Sequence, residues 1–99
     1  MSTAIQDPGL LIMISLASGP KHGHAMMRDV ERFAGTHLGP GTLYGALTRL
    51  DEGGLVEPLP AQGRRRPYRL TPAGLSALRT RLEELGQAVS IGLARVTGR

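Results

Sequence analysis

Arginine side chains lie in two stretches of this sequence, in one of them beside a threonine, and such groups bind phosphates and the edges of bases. Three consecutive arginines follow a turn-forming segment: Arg64, Arg65 and Arg66. Upstream, Arg49 follows Thr48 in a stretch that opens with a proline and closes with two glycines. A guanidinium group forms paired, charge-assisted hydrogen bonds with an anion or with a guanine edge. The two stretches therefore predict contact with a polyanion.

No set of residues in the sequence is typical of a catalytic or metal site. The absence of cysteine excludes thiol catalysis, disulfides and zinc fingers. No carboxylate pair and no serine, histidine and aspartate set stands out. A metal site of His22, His24 and His37 is the alternative, but residues at i and i+2 do not share a helix face. Because no carboxylate or thiol joins these histidines, we expect no enzyme, no metal and no cofactor.

The charge balance favours nucleic acid as the polyanion. Eleven arginines and one lysine outweigh eight acidic residues, which gives a net charge of +4 over 99 residues. A basic domain of this size favours nucleic acid ahead of a membrane surface. The longest apolar run, residues 9–17, is too short to span a membrane, and no basic segment precedes it as in a signal peptide. We expect a single soluble domain in the cytoplasm.

Residues 40–52 predict the helix that carries Arg49. Pro40 suits the first helical position, and Gly53 suits the turn after the last one. Apolar residues recur at spacings of four and three on one face: Leu43, Leu47 and Leu50. The opposite face is short and polar: Thr42, Gly45, Thr48, Arg49 and Glu52. A helix this slim fits the DNA major groove, and a merely solvated face is the alternative.

The preceding helix is predicted from near His22 to Ala34, with Gly35 as its stop. Its apolar stripe consists of Met26, Val30 and Phe33. Lys21 and His22 stand at its N-terminus, where a cation beside free N–H groups predicts a phosphate site. Ordinary solvated loop residues are the alternative for these two. Two helices joined by a short turn that contains glycine match a helix-turn-helix unit.

A buried first helix and a hairpin complete the body of the predicted fold. Asp7 and Pro8 begin a helix that is apolar nearly all round up to Ala17, so it is buried on most sides. Two extended segments flank a turn at residues 60–63, and Tyr68 alternates with its polar neighbours as in a half-buried strand. This hairpin carries the three consecutive arginines on its tip or return arm.

A long helix is predicted after Thr71 and Pro72. Its apolar residues repeat at spacings of three and four over about three heptads, interrupted by Gly92: Leu75, Leu78, Leu82, Leu85, Val89 and Val96. Such a seam can fold back onto its own domain, but the rest of the chain already has a compact core. We therefore expect the seam to pack on a second copy of the chain.

The predicted order of elements is three helices, a hairpin and a long helix. This fold class is mainly α with a small β-hairpin, a winged helix-turn-helix plus a long C-terminal dimerisation helix. Residues 1–71 form the DNA-binding part and residues 72–99 the dimerisation helix, in one compact domain. In such a layout the third helix reads the major groove and the hairpin lies over neighbouring backbone or minor groove.

Three segments carry a resemblance to a known family: SGPKHGHAMMRDVER, GPGTLYGALTRLDEGGLVE and RRRPYRLTPAGLSAL. They resemble the PadR family of bacterial transcriptional regulators over about residues 10–85. The resemblance implies a homodimeric winged-helix repressor whose affinity for double-stranded DNA is lowered by a small aromatic or hydrophobic effector. By analogy the DNA-facing residues are Thr42, Tyr44, Thr48 and Arg49, with Lys21, His22, Arg64, Arg65, Arg66 and Tyr68 around them.

An effector site and a second function complete the predictions. If two long helices cross at a dimer centre, Met13, Leu85 and Val89 line an apolar gap, which leucine packing alone could also close. Leu85 falls near a position where several family members carry a tryptophan, and this chain has none. The alternative function is a winged-helix module for protein contacts or accessory nucleic-acid binding, without an operator of its own.

Overall fold

The first and the last helix of the fold each begin with a side chain that caps the helix N-terminus. Asp7 accepts hydrogen bonds from the backbone N–H groups of Gly9 (3.0 Å) and Leu10 (3.5 Å). The hydroxyl of Thr71 accepts one from the N–H of Gly74 (3.0 Å). Such bonds satisfy N–H groups that have no partner inside a helix. The computed structural model describes residues 6–98, in the order α1 (Pro8–Ala17), β1 (Lys21–His22), α2 (Gly23–Ala34), α3 (Pro40–Glu52), β2 (Val56–Pro58), β3 (Pro67–Leu70) and α4 (Pro72–Thr97).

A three-stranded antiparallel sheet with the order β1-β3-β2 flanks the helices. β2 and β3 form the predicted hairpin, which we call the wing together with its tip (residues 56–70). At the tip Gln62 and Arg65 exchange two backbone hydrogen bonds, and Gly63 has the left-handed φ of 63° that favours glycine. The predicted mainly α fold with a hairpin is confirmed. The prediction missed β1, where Lys21 lies opposite Tyr68, because two residues show no periodicity.

The principal core lies where α1 packs against α2 and α3. Its largest fully buried side chains come from these helices and from β2: Leu11, Ile12, Met26, Val30, Leu43, Leu47 and Val56. The prediction that Phe33 belongs to the buried stripe of α2 was wrong, since Phe33 is 44% exposed. Met26, Val30 and Ala34 are four residues apart, so α2 turns Ala34 rather than Phe33 towards the core.

α4 packs on this body through its first half only. Leu78 is buried with Leu10 and Met13 in a second core cluster, and Leu85 packs against the same cluster. This corrects the predicted dimer seam, because Leu78 is covered by its own chain. Beyond Leu85 every residue of α4 up to Thr97 is exposed. Among residues 6–98 no helix has the length and apolar character to cross a membrane.

Candidate nucleic-acid interface

The face of α3 that points away from the core, here called the outer face, is slim and exposed. Thr42, Tyr44, Thr48 and Arg49 are all exposed on or beside it, as predicted from the sequence. A Cβ added at Gly45 would lie 3.6 Å from Nη1 of Arg49, so the guanidinium lies back along its own helix. The small residue leaves room for that position and keeps the middle of this face low.

The hydroxyl of Thr48 donates a hydrogen bond to the backbone oxygen of Tyr44 one turn earlier (2.9 Å). Its hydrogen is therefore used within α3, and its lone pairs remain as acceptors. Arg49, by contrast, carries only donors. The outer face thus presents an acceptor and a set of donors side by side, which is the combination that distinguishes base edges in the major groove.

His22 acts as a capping residue rather than as a cation at the start of α2. Its Nδ1 accepts a hydrogen bond from the backbone N–H of Ala25 (3.3 Å), so the ring hydrogen stands on Nε2. Desolvation lowers the pKa of His22 below 6.5, and the charges of Arg65 and His24 lower it further. His22 is therefore neutral near pH 7, and it offers an N–H donor instead of the positive charge that its position predicts.

Lys21 is anchored at the end of α1. Its ammonium donates hydrogen bonds to the backbone oxygen of Ser15 (2.5 Å) and to the hydroxyl of Ser18 (2.6 Å). A cation is favoured at the C-terminus of a helix, where carbonyl groups lack partners. These bonds occupy two of the three ammonium hydrogens. The sequence predicted Lys21 as the cation of a phosphate site, with a solvated loop residue as the alternative; the structure holds its ammonium at the end of α1 and leaves one hydrogen for an external acceptor.

The arginines of the wing differ in what holds them. Arg66 donates to the backbone oxygen of Leu59 (2.9 Å) and so ties the two arms of the hairpin together. Arg69 pairs with Glu57, which lies opposite it across the sheet. Arg64 is exposed at the tip, within the turn that Gln62 and Arg65 close. Arg64 and Arg65 are therefore better placed for an external anion than Arg66.

Tyr68 lies on β3 and is only partly exposed, because its side chain packs against the principal core. The prediction grouped it with the DNA-facing residues. Its alternation with Arg69 along the strand was correctly interpreted as half-burial. Tyr68 thus lies within the wing with its side chain half-buried against the principal core, whereas Arg64 is fully on the surface.

Arg65 reaches from the wing to α2 and closes a basic pocket of about 390 Å³. Its Nη1 lies 3.4 Å from Nε2 of His22. The pocket is lined by Lys21, His22, His24, Ala25, Arg28, Asp29, Arg32 and Arg65. Arg28 and Arg32 were not among the residues predicted to bind phosphate, so their place in this pocket was missed. His24, Arg28 and Arg32 follow one another at intervals of four residues on α2, and this spacing is the signal in the sequence that places them on one face of the helix.

The acidic residue of this pocket, Asp29, is engaged by its neighbours. Its carboxylate accepts a hydrogen bond from the buried hydroxyl of Ser15 (2.7 Å), and Arg32 lies 3.9 Å away. The carboxylate offsets one positive charge, and the basic side chains of Lys21, Arg28, Arg32 and Arg65 leave the pocket positive. His37 lies elsewhere, 3.8 Å from Glu31 with both side chains exposed. Within residues 6–98 no three metal-binding side chains come together.

The residues predicted for an effector site do not form a shared gap within one chain. Met13 is 8% exposed and lies in the second core cluster, and Leu85 packs against that cluster. Val89 is 59% exposed on the free part of α4. Met13 also lines a separate cleft of about 190 Å³ between α1 and α3, beside Arg49. A site made of Met13, Leu85 and Val89 therefore requires a second chain to complete it.

Comparisons with known proteins identify the family. Residues 11–80 match the sequence model of the transcriptional regulator PadR-like family. A transcriptional regulator of Mycobacterium tuberculosis is 40% identical over 95 residues, which cover 90% of this chain and 88% of that protein. A solved PadR family transcription regulator from Clostridium difficile R20291 has a TM-score of 0.81 at 21% identity, and the match covers 92% of this chain and 99% of that one. This last likeness shows the shared fold.

A further relative is longer than this chain. An uncharacterised 37.1 kDa protein in transposon TN4556 of Streptomyces fradiae is 44% identical over 93 residues. The match covers 94% of this chain, which spans 25% of the length of that relative. The proteins of this family are transcriptional regulators. From the family match and the Mycobacterium relative, this chain is a member of the PadR-like family of transcriptional regulators.

Proposed function

We propose that this chain is a sequence-specific regulator that binds double-stranded DNA as a homodimer, with α3 in the major groove and the wing on adjacent backbone. The observation that carries the proposal is the slim outer face of α3, with exposed basic groups of the wing and α2 in the same domain. A winged helix reads bases through such a helix and takes its register from backbone contacts.

Base reading is assigned to Thr42, Thr48 and Arg49, with Tyr44 beside them. The glycines of α3 support a close approach, since a Cβ at Gly41 would meet nothing within 4 Å. Arg49 offers paired donors for a guanine edge. Thr48 offers an acceptor for an exocyclic amino group.

We assign contact with the DNA backbone to the basic pocket and to the tip of the wing. Within the pocket, the Nε2–H of His22 and the guanidinium of Arg65 are two donors 3.4 Å apart that need a shared acceptor. A phosphate oxygen is such an acceptor, and the positive end of α2 favours it further. Arg64 extends the same contact along the strand. Phosphate contacts of this kind supply affinity and register without reading sequence.

Dimerisation is assigned to the exposed apolar residues of α4. The largest of these are Leu75 (47%), Leu82 (40%), Val89 (59%), Ile91 (45%), Leu93 (62%) and Val96 (67%). Apolar side chains repeated along one helix are typical of a helix that packs on another chain. A two-fold dimer presents two copies of α3, so we expect a palindromic operator.

By family analogy, the dimer acts in the cytoplasm as a repressor that a small hydrophobic effector releases. Because one chain alone closes Met13 and Leu85 against its own core, an effector site needs the dimer centre. An effector that binds the DNA-free form better lowers operator affinity by its differential affinity for the two forms.

Footprinting of the promoter region upstream of the protein's own gene tests the proposed function. We expect one protected segment with two related halves, and much weaker binding to an unrelated duplex of the same length. Equal affinity for every duplex, with no protected segment, would contradict the proposal of a sequence-specific regulator. That outcome would leave the second candidate, a winged-helix module without an operator. The longer Streptomyces relative, of which this chain spans 25%, is the observation that favours the module.

A further inference from the structure

We propose that Gly23 is a positioning residue for DNA binding: its missing side chain lets the phenol of Tyr44 lie across the start of α2. Through this contact the outer face of α3 is held at a fixed distance from the backbone-binding end of α2. The inference rests on the proposed function, because it concerns how two DNA-facing elements are kept in register.

The contact is tight enough to require glycine. Gly23 is the first residue of α2 and is buried. A Cβ built there would overlap the hydroxyl oxygen of Tyr44 and would lie 2.9 Å from its Cζ. It would also lie 3.1 Å from a methyl group of Leu43. Real side chains do not approach a Cβ atom so closely. With alanine at position 23, the phenol of Tyr44 could not keep its present position.

Tyr44 is 48% exposed. One side of the ring therefore faces solvent while its hydroxyl end lies against α2. The residue after Gly23 lines the basic pocket, and the residue before it supplies the cap of α2. The phenol thus lies against the segment that carries His22 and His24, two residues of the proposed phosphate site, although it belongs to the proposed groove-reading helix. A displacement of this ring therefore changes the distance between the residues proposed to read bases and those proposed to bind phosphate.

Gly23→Ala separates this positioning role from a structural one. Gly23 is the first helical residue of α2, and no left-handed backbone angle requires glycine there. Alanine favours a helix more than glycine does. The phenol is the far end of a side chain that can rotate away, whereas the methyl group of buried Leu43, 3.1 Å from the added Cβ, must shift by a few tenths of an ångström. We therefore expect the variant to fold with a melting temperature close to that of the wild type. Its operator affinity should fall roughly tenfold, the scale of one missing hydrogen bond to a charged group.

A matched control is Gly86→Ala, which adds the same methyl group to a helical glycine of α4 with nothing within 4 Å. This variant should keep the wild-type operator affinity. Tyr44→Ala removes the ring, and the double variant Gly23→Ala/Tyr44→Ala removes the clash. If the inference is right, the double variant binds the operator no more weakly than Tyr44→Ala alone, because the two effects share one contact.

Tyrosine fluorescence gives a readout that does not depend on DNA. The chain has two tyrosines and no tryptophan, so in a Tyr68→Phe background Tyr44 is the only emitting residue. Acrylamide should quench this emission more strongly after Gly23→Ala, since the ring moves into solvent. Unchanged quenching, or a displaced ring with wild-type operator affinity, overturns this inference alone. If the wild-type protein binds no operator, the proposed function is contradicted, and the positioning role of Gly23 is contradicted with it.

Discussion

The body of the protein (residues 6–71) and the part of α4 beyond Leu85 differ in where their apolar side chains lie. In the body, Ile12 and Leu43 are completely buried by their own chain. Beyond Leu85, Leu93 and Val96 are more than 60% exposed. The body instead exposes basic and hydroxyl groups along α3, α2 and the wing. Among the residues that the structure describes, one region covers most of its apolar surface with its own chain and exposes basic groups, whereas the other leaves apolar surface exposed.

The difference supports our proposal that the two regions serve two kinds of partner, so each can be perturbed separately. Burial of apolar surface contributes roughly 25 cal/mol per Å², so the exposed leucines and valines of α4 gain from a second copy. The groups of the body gain from phosphate, whose contribution depends on salt. Changes in α4 should therefore act through assembly, and changes in the body through DNA.

The largest effect is expected from a charge in the dimer seam. Leu82→Glu places a carboxylate where we expect apolar contact with the partner, at a cost of roughly 3 kcal/mol or more per dimer. Sedimentation velocity should show loss of the dimer, and operator affinity should fall with it. Gln87→Glu, which adds the same charge away from the seam, is the control and should remain dimeric. A Leu82→Glu protein that sediments like the wild type would refute the seam.

The next effect concerns the wing. Arg64→Ala with Arg65→Ala should weaken binding to every duplex and flatten the salt dependence by about 0.9 in log–log slope for each phosphate that is no longer neutralised. Two protomers double the change. Arg66→Ala is the control, because Arg66 is held by the oxygen of Leu59, and its salt slope should stay near the wild-type value. An unchanged slope in the double variant would mean that the wing does not touch phosphate.

A smaller and more selective effect is expected at Arg49. Arg49→Ala should weaken operator binding by roughly 1–3 kcal/mol and leave binding to an unrelated duplex nearly unchanged, if its guanidinium reads a base. Arg79→Ala, which removes an exposed arginine of α4, controls for net charge. Fluorescence anisotropy with both duplexes gives the two affinities. Equal weakening on both would make Arg49 a backbone contact and pass base reading to Thr42 and Thr48.

The smallest effect is the pH dependence of stability that His22 contributes. Its pKa is lowered in the folded state from 6.5, so the unfolded chain binds the proton more readily. The contribution is fully present above pH 6.5 and is lost as the pH falls towards the lowered folded pKa. His22→Asn keeps a side-chain acceptor at the start of α2 but does not titrate. Thermal melts should show a shallower loss of stability on acidification in this variant, and identical pH profiles would exclude the role.

The order and bounds of the helices could be predicted from local signals. Pro8, Pro40 and Pro72 mark the first residues of three helices, and Gly35 and Gly53 mark ends. These residues act through backbone conformation and hydrogen bonding close by in sequence, so no knowledge of the tertiary fold is needed. The heptad spacing of α4 likewise predicted one long helix.

The parts that failed depend on contacts between distant segments. β1 exists because Lys21 pairs with Tyr68, and the ammonium of Lys21 is held at the end of α1. Leu78 satisfies a heptad pattern equally well inside its own chain. The closeness of His22 and Arg65, 43 positions apart in the chain, has no local signal. The basic pocket could therefore not be assembled from the sequence, although its residues at the start of α2 and on the wing were predicted to bind phosphate.

The most direct test of the two-partner account is the stoichiometry of the DNA complex. Sedimentation velocity at micromolar protein, first alone and then with a saturated operator duplex, measures both partners in one experiment. The account predicts a dimer in the absence of DNA and two protomers on each duplex. A monomer in solution that binds as one protomer per duplex would contradict it.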